Sequence, residues 1–320
     1  MIGKDIAKAS QLLSAGHVVA IPTETVYGLA GNALNPQAIN DIYRIKKRPK
    51  FNPLILHVSS LDAAREYVTH IPLIAEKLAN LYWPGSLSIL LPKNDKIPDI
   101  VTAGSPHVVI RIPDHSLTLE LLRNIPFPLV APSANISNRV SPTQAKHVTE
   151  SLGERVPYIL DGGQCQIGLE STIIGIENNE IIILRQGGIT QENIQENTGL
   201  KTRYSKTKKI QAPGQLTKHY ATKKPLYIVE SIEDYLTIFP EKKCTVLLYT
   251  QEIEIPQAHH TYYLSTTYQT SEIANQLFST MRKADKDDSE IILIEPIKLD
   301  GIGRAIDDRL KRAATKIITG

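Results

Sequence analysis

Two short polar segments, far apart in the chain, carry the residue types that hold a polyphosphate. Lys46-Lys47-Arg48-Pro49 closes an amphipathic stretch, and Pro132-Ser133-Ala134-Asn135 follows the apolar run Leu129-Val130-Ala131. The first supplies fixed positive charge at the end of a helix-patterned segment. The second supplies a hydroxyl, an amide and backbone N–H groups just past a strand. Cations together with neutral donors are what phosphate oxygens need, so the pair points to nucleotide handling. Singly, each has a plainer explanation. A basic helix C-terminus is favoured by the helix dipole, and Ser-Ala-Asn is ordinary turn chemistry.

Further candidates lie where strands end. Pro22-Thr23-Glu24-Thr25-Val26-Tyr27-Gly28 follows an apolar strand, and ligands gather at the carboxyl ends of strands in α/β folds. Thr23 and Thr25 offer hydroxyls there; the alternative is a tight connection with Glu24 solvated. His57 lies inside the apolar run Leu54–Val58, where a satisfied core or edge histidine is a plainer expectation than a ligand. Arg111 lies within Val108–Pro113, and a buried arginine needs an anion. That anion is either an internal carboxylate or a substrate carboxylate, for which the guanidinium fork is well shaped. Asp161-Gly162-Gly163 and Gly168-Leu169-Glu170-Ser171 form a glycine-rich approach to a strand, and Arg185 closes the next one. Neither the dinucleotide fingerprint, the phosphate loop, a serine-hydrolase elbow nor zinc-type His/Cys spacing occurs. The adjacent pair His259-His260 falls in a polar loop and is expected at the surface.

The elements that must position these residues follow from periodicity. Ile2, Ile6, Ala9, Leu12 and Leu13 recur at helical spacing until Gly16, and Val18–Ile21 is a buried strand ended by Pro22. A helix through Ile39, Ile42 and Tyr43 leads into Lys46. Strands are predicted at 54–58, 87–91, 108–112, 128–131, 158–160, 172–176 and 181–184, with helices at 117–123 and 143–152. Intermingled helices and adjacent strand pairs imply a mixed sheet flanked by helices. Between Lys201 and Lys224 the pattern lapses into basic residues and Pro213-Gly214, which predicts a linker. Strands at 226–229, 245–249 and 291–295 then alternate with helices at 273–282 and 305–317, which predicts a small, mostly parallel α/β domain. The expected division is 1–200, a linker at 201–224, and 225–320.

Composition bounds the function. The 320 residues are 42% hydrophobic and 22% charged, with a net charge of +3, too small for a protein that lives on nucleic-acid backbone. Cys165 and Cys244 are the only cysteines, too few for a disulfide framework and consistent with a reducing compartment. Residues 1–10 lack an apolar signal core and no membrane span is visible, so a cytoplasmic protein is expected.

Taken together, PTETVYGLAGNA (22–33), KKRPKFNPLILHV (46–58), WPGSLSILLP (83–92), VVIRIPDH (108–115), PLVAPSANISNRVSPT (128–143), LDGGQCQIGLESTII (160–174) and ILRQGGIT (183–190) resemble the YrdC-like threonylcarbamoyl-AMP synthase family. PGQLTKHYA (213–221) resembles the segment that precedes the appended domain in the family's longer form. The resemblance implies a YrdC-like twisted mixed sheet plus a small Rossmann-like C-terminal domain. It implies synthesis of threonylcarbamoyl-adenylate and pyrophosphate from L-threonine, bicarbonate and ATP with Mg²⁺. Other proteins, a threonylcarbamoyl-transferase complex, would then modify tRNA at the adenosine in position 37. Lys46 and Arg48 would be catalytic. Arg48, Asn52, His107, Ser133, Asn135, Ser141, Arg185 and Tyr220 match ATP-contacting positions, with Tyr220 and the 201–224 linker acting as a lid. Thr25, His57, Arg111, Ala131 and Ser171 match positions around threonine. His107 stands where the family usually has threonine, and Ala212 and Gln215 also depart from the family's linker. The competing expectation is an RNA-binding module of the same fold without synthase activity.

Overall fold

The computed structural model describes residues 1–205, 212–214 and 218–318. Among them the chain forms two compact units. The first comprises 1–137, 142–166 and 170–216, and the second 138–141, 167–169 and 217–320. The expected linker therefore has no single assignment. Thr202–Tyr204 form a strand of the first unit, whereas the stretch from Lys218 onward groups with the second. Lys206, Lys208, Lys209 and Gln215, part of the expected lid, lie outside the described residues.

The first unit is built on an eleven-stranded mixed sheet. Its strands are β1 (Ile2–Gly3), β2 (Val19–Ile21), β3 (Gly28–Asn32), β4 (Ile55–His57), β5 (Leu87–Pro92), β6 (His107–Arg111), β7 (Leu129–Val130), β8 (Tyr158–Leu160), β9 (Thr172–Glu177), β10 (Glu180–Arg185) and β11 (Thr202–Tyr204). Their spatial order is β1-β8-β2-β3-β7-β4-β6-β5-β9-β10-β11. The predicted mixed sheet flanked by helices is what the structure shows.

Side-chain alternation sorts the sheet's two faces. On one face Leu56, Ile89, Ile110, Val130 and Ile174 pack with helical residues including Ile39, Ile42, Leu78, Val148 and Ile194. On the other face the layer changes along the sheet. Val19, Ile21, Ala30, Leu129 and Tyr158 pack beneath Ala9, Leu13, Leu121 and Leu122 of two helices, Ile6–Ser14 and Ser116–Arg123. Farther across, Ile55, Val109, Ile173, Ile182 and Leu184 pack with Ala212. Between those two patches the same face carries polar residues, and it is there that the candidate site forms.

Helix ends follow local chemistry. Asp5 caps Ile6–Ser14 through the Lys8 amide at 2.9 Å. Asn35 caps Pro36–Lys46, with proline at the first helical position. That helix stops because Lys47 adopts a left-handed conformation, φ 52°, which turns Arg48 back toward the sheet.

Several segments departed from expectation. Ile2, expected on the first helix, lies in the short strand β1, and the helix begins at Ile6. Gly28–Asn32, expected as loop, is a strand antiparallel to β2. Its Gly and Ala residues have low strand propensity, and tertiary packing overrides it. A Cβ on Gly28 would lie 3.0 Å from the Ala131 Cβ, so glycine is what lets β3 and β7 approach. The final helix ends at Ala313 rather than running on to Ile317. Lys316–Ile318 instead form an edge strand, as suits the adjacent β-branched Ile317 and Ile318.

The second unit holds an all-parallel five-stranded sheet. Its strands are β12 (Leu226–Val229), β13 (Cys244–Leu248), β14 (His260–Tyr263), β15 (Ile291–Ile294) and β16 (Lys316–Ile318), in the order β14-β13-β15-β12-β16. This is the predicted small parallel α/β domain, with β14 in the stretch expected to be polar surface. Within this unit Arg282 donates to the carbonyls of Val140 and, at 3.3 Å, Ser141.

Candidate active site

Three polar groups are assembled in the first unit. The first joins the two segments with which the sequence reading began. Lys46 is the last residue of its helix and is buried. Its Nζ donates to the carbonyls of Ser133 and Asn135, the latter at 2.7 Å, and the Ser137 amide returns a bond to Lys46 O. The lysine thus fastens the Pro132–Asn135 loop to the helix end. Burial pushes the Lys46 ammonium well below its usual pKa, the neighbouring Arg48 charge pushes it further, and Glu170 opposes both. Arg48 donates through Nε to Asn52 O at 3.1 Å and through Nη2 to Asn52 Oδ1 and Pro53 O, each at 2.7 Å. Asn52 is fully buried, and its Nδ2 has no hydrogen-bond partner among the described residues. An unpaired buried amide donor costs about 1–3 kcal/mol, so its natural complement is an acceptor brought by a ligand.

The second group surrounds Arg111. Strand register sets it beside His57, its Cα partner in the parallel β4–β6 pair. Arg111 donates through Nε to Gly85 O at 3.1 Å and through Nη1 to Thr25 Oγ1 at 2.8 Å. Its Nη2 lies 2.6 Å from Glu24 Oε1, and both side chains are 5% exposed. Of the two anions the sequence left open, the internal carboxylate is present. Glu24, expected to be solvated, is buried, and its other oxygen accepts from the Asp114 amide at 3.1 Å. Two of the five guanidinium N–H groups make these hydrogen bonds, and Nη2 meets Glu24 as an ion pair without one, which leaves Nη donors for a substrate.

His57 is neutral in this setting. Burial first and the Arg111 charge second lower its pKa to about 3. Its Nδ1 lies 3.2 Å from Ile55 O; a carbonyl only accepts, so Nδ1 carries the hydrogen and Nε2 offers a lone pair. The unfolded chain takes up a proton below about pH 6.5 while the folded chain does not until about pH 3, so folding stability falls as pH drops through that window. In His57→Gln the fall should be smaller by on the order of a few kcal/mol. Urea titrations of both proteins at pH 7.5, 6 and 5 check this; equal pH slopes would contradict a neutral buried His57.

The third group links Ser171 to Arg185. Arg185 donates to Ser171 O from Nε at 3.0 Å and from Nη2 at 2.9 Å, and to Ser171 Oγ at 2.9 Å. The hydroxyl of Ser88 lies 2.8 Å from that of Ser171. Gly187 makes this possible: a Cβ there would sit 2.2 Å from Glu170 O and 2.4 Å from the Ser171 carbonyl carbon. Gly187→Ala should therefore cost about 1–3 kcal/mol of stability and displace Ser171, measured as a shifted urea midpoint with reduced turnover.

The remaining candidates are placed as follows. Ala131 extends β7, and its amide donates to Ile55 O at 3.3 Å. His107 is exposed at the start of β6, with Arg111 at the other end, about 13 Å away at ~3.3 Å per residue. Ser141 and Tyr220 fall in the second unit. There Tyr220 is buried, with its ring stacked on Phe278 at 5.3 Å and the Arg309 guanidinium 5.2 Å from it.

Sequence reasoning gave no role to Ser88 or Tyr27 and did not pair Glu24 with Arg111. Tyr27 OH donates to Gly163 O at 2.7 Å and accepts from the Gly162 amide at 3.1 Å, which pins the Asp161–Gly163 loop. The signal for Ser88 was present, since a lone hydroxyl in the apolar run Leu87–Leu91 must find a partner.

Comparison with known proteins agrees with this architecture. The profile of the Sua5–YciO–YrdC family, described as telomere recombination, matches residues 11–187. A second profile, described as the threonylcarbamoyl-AMP synthase C-terminal domain, matches residues 189–315. The chain is 36% identical to a threonylcarbamoyl-AMP synthase of Pyrococcus abyssi, over 96% of this chain and 93% of that one. It is 37% identical to a threonylcarbamoyl-AMP synthase of Bacillus subtilis, over 97% of this chain and 92% of that one. The crystal structure of P. abyssi Sua5 complexed with L-threonine superposes with a TM-score of 0.91 at 34% identity, covering 100% of this chain and 99% of that one. The chain therefore belongs to the Sua5–YciO–YrdC family, in its two-domain form.

Proposed function

We infer that this protein is a threonylcarbamoyl-AMP synthase, a nucleotidyltransferase acting on L-threonine, bicarbonate and ATP. The observation that carries the reading is the row of buried polar side chains on one sheet face, in a chain that matches synthases over nearly its full length. Threonine's amine combines with CO₂ from bicarbonate to give a carbamate. A carbamate oxygen then forms a bond to the α-phosphorus of ATP, and pyrophosphate leaves. Anion attacks anion, so charge neutralisation lowers the barrier most.

Arg48, Lys46 and Arg185 supply that neutralisation, while Ser133 and Asn135 offer neutral contacts to phosphate and the Asn52 amide offers its unpaired donor. His107 is assigned to the nucleotide end. Mg²⁺ carried in on the phosphates of ATP would supply further charge shielding there. The threonine carboxylate takes the remaining Arg111 donors. Because Glu24 already balances the Arg111 charge, the arginine binds by directed hydrogen bonds rather than by net attraction. With a pKa near 3, His57 is a poor general base; it serves as a hydrogen-bond acceptor beside Thr25, Ala131 and Ser171.

The product is a mixed anhydride that a threonylcarbamoyl-transferase would consume, transferring its acyl group to tRNA in the cytoplasm. No helix among the described residues is long and apolar enough to cross a membrane. Pyrophosphate release tests the reading. It should require threonine and bicarbonate together; release that ignores either one, or none at all, would count against synthase activity and favour the RNA-binding alternative.

A further inference from the structure

The second unit contains a group of side chains that adenylate chemistry leaves unused. His259 Nε2 and His260 Nε2 both point at a single carboxylate oxygen, Asp288 Oδ1, at 3.0 and 2.6 Å. Among the described residues this is the only convergence of three metal-capable side chains, their ligand atoms all within 4.8 Å of one another. We propose that His259, His260 and Asp288 bind a first-row divalent transition metal, Zn²⁺ being the ion that this donor set fits best.

The local structure holds the three groups in place. His259 is fixed by its backbone amide, which donates a hydrogen bond to Cys244 O at 2.9 Å, and His260 opens β14. The His260 ring lies parallel to that of Tyr262, 5° apart at 6.3 Å, and the His259 ring meets it edge-on at 4.5 Å. On the facing loop, Asp287 is anchored by Lys224 Nζ at 2.6 Å, Thr245 Oγ1 at 2.7 Å and the Ser289 amide at 3.0 Å. Those bonds fix the backbone from which Asp288 projects toward the two imidazoles.

Donor chemistry selects the metal class. Two imidazoles and one carboxylate are borderline ligands that favour Zn²⁺, Co²⁺, Ni²⁺ or Cu²⁺. Mg²⁺ and Ca²⁺ want oxygen ligands almost throughout, so they fit poorly. Zn–N and Zn–O bonds of about 2.0–2.2 Å place tetrahedral donors roughly 3.3–3.5 Å apart, which requires only small movements of the present atoms. The side chains are about one-third exposed for each histidine and two-thirds for Asp288, so water can complete the coordination. The bound ion would tie the start of the edge strand β14, whose four residues are all half-buried, to the loop entering β15.

Titration of the full-length, untagged protein with Co²⁺, followed by visible d–d absorption and by displacement with Zn²⁺, tests this. Saturable binding of one equivalent is expected. It should weaken roughly tenfold or more in His260→Ala and in Asp288→Asn, and stay unchanged in His70→Ala, which alters a histidine of the first unit. Both ligands are at the surface, and circular dichroism checks that each variant is folded. Absence of saturable binding would leave the cluster a hydrogen-bonded His–Asp triad and overturn the proposal. So would binding that persists undiminished in the folded His260→Ala and Asp288→Asn proteins.

Discussion

Arg48→Ala and Lys46→Ala are each expected to lower turnover by about 2–4 kcal/mol of transition-state stabilisation, or roughly 30- to 900-fold. That is the scale of removing one group that faces developing negative charge in a water-poor site. The structure separates the two variants. Lys46 holds the Ser133 and Asn135 carbonyls, so its removal also strands two acceptors and loosens the Pro132–Asn135 loop. A stranded buried acceptor costs about 1–3 kcal/mol, so Lys46→Ala should unfold at lower urea concentration as well as turn over slowly. Arg48 donates to Asn52 O, Asn52 Oδ1 and Pro53 O, all buried. Its removal strands those acceptors in turn, so Arg48→Ala should also lose stability, through the 48–53 loop rather than the Pro132–Asn135 loop. Steady-state kinetics paired with urea midpoints makes the comparison. Wild-type turnover in a folded Arg48→Ala protein would contradict the assignment.

Arg111→Ala should be the more damaging change to folding. It leaves Glu24 as a buried carboxylate that has lost its partner, a situation that costs about 3–5 kcal/mol. Adding Glu24→Gln should recover part of that loss, because the stranded charge is what destabilises the single variant. A double-mutant cycle by urea denaturation measures the coupling. The same arginine is assigned to the threonine carboxylate. Where Arg111→Ala remains folded, KM for threonine should therefore rise about 10- to 150-fold, the scale of 1.5–3 kcal/mol for hydrogen bonds to a charged group. A double variant no more stable than Arg111→Ala would show that the pair is not coupled as its 2.6 Å separation indicates.

Much of this architecture is legible in residue order because it depends on local pattern. Ile39, Ile42 and Tyr43 repeat at helical spacing, and Val108–Ile112 is an apolar run; both became the elements their spacing implies. Gly28–Asn32 did not signal a strand, since what makes it one is the fit of glycine against Ala131 on a neighbouring strand. Lys316–Ile318 was absorbed into the preceding helix because a short edge strand is defined by its partner, β12.

The site shows the same division between residue type and partner. Arg111 could be recognised as a cation needing an anion, yet Glu24 and Thr25 become its partners only when the Pro22–Tyr27 loop meets the end of β6. Lys46 advertised charge, whereas the structure uses much of that group as a strut between helix end and loop. Ser88 and Ser171 pair because β5 and β9 run parallel in a register that places Leu87 beside Thr172. Register of that kind is a property of the assembled sheet, not of either strand alone.

We propose that both substrates bind along the sheet face that carries His57, Arg111, Ser88 and Ser171. A crystal structure with L-threonine and a non-hydrolysable ATP analogue tests it most directly. The expected result places the threonine carboxylate within hydrogen-bond distance of Arg111 and the phosphates beside Arg48 and the Ser133–Asn135 loop. Threonine bound away from Arg111, or phosphates seated away from Arg48 and that loop, would contradict it.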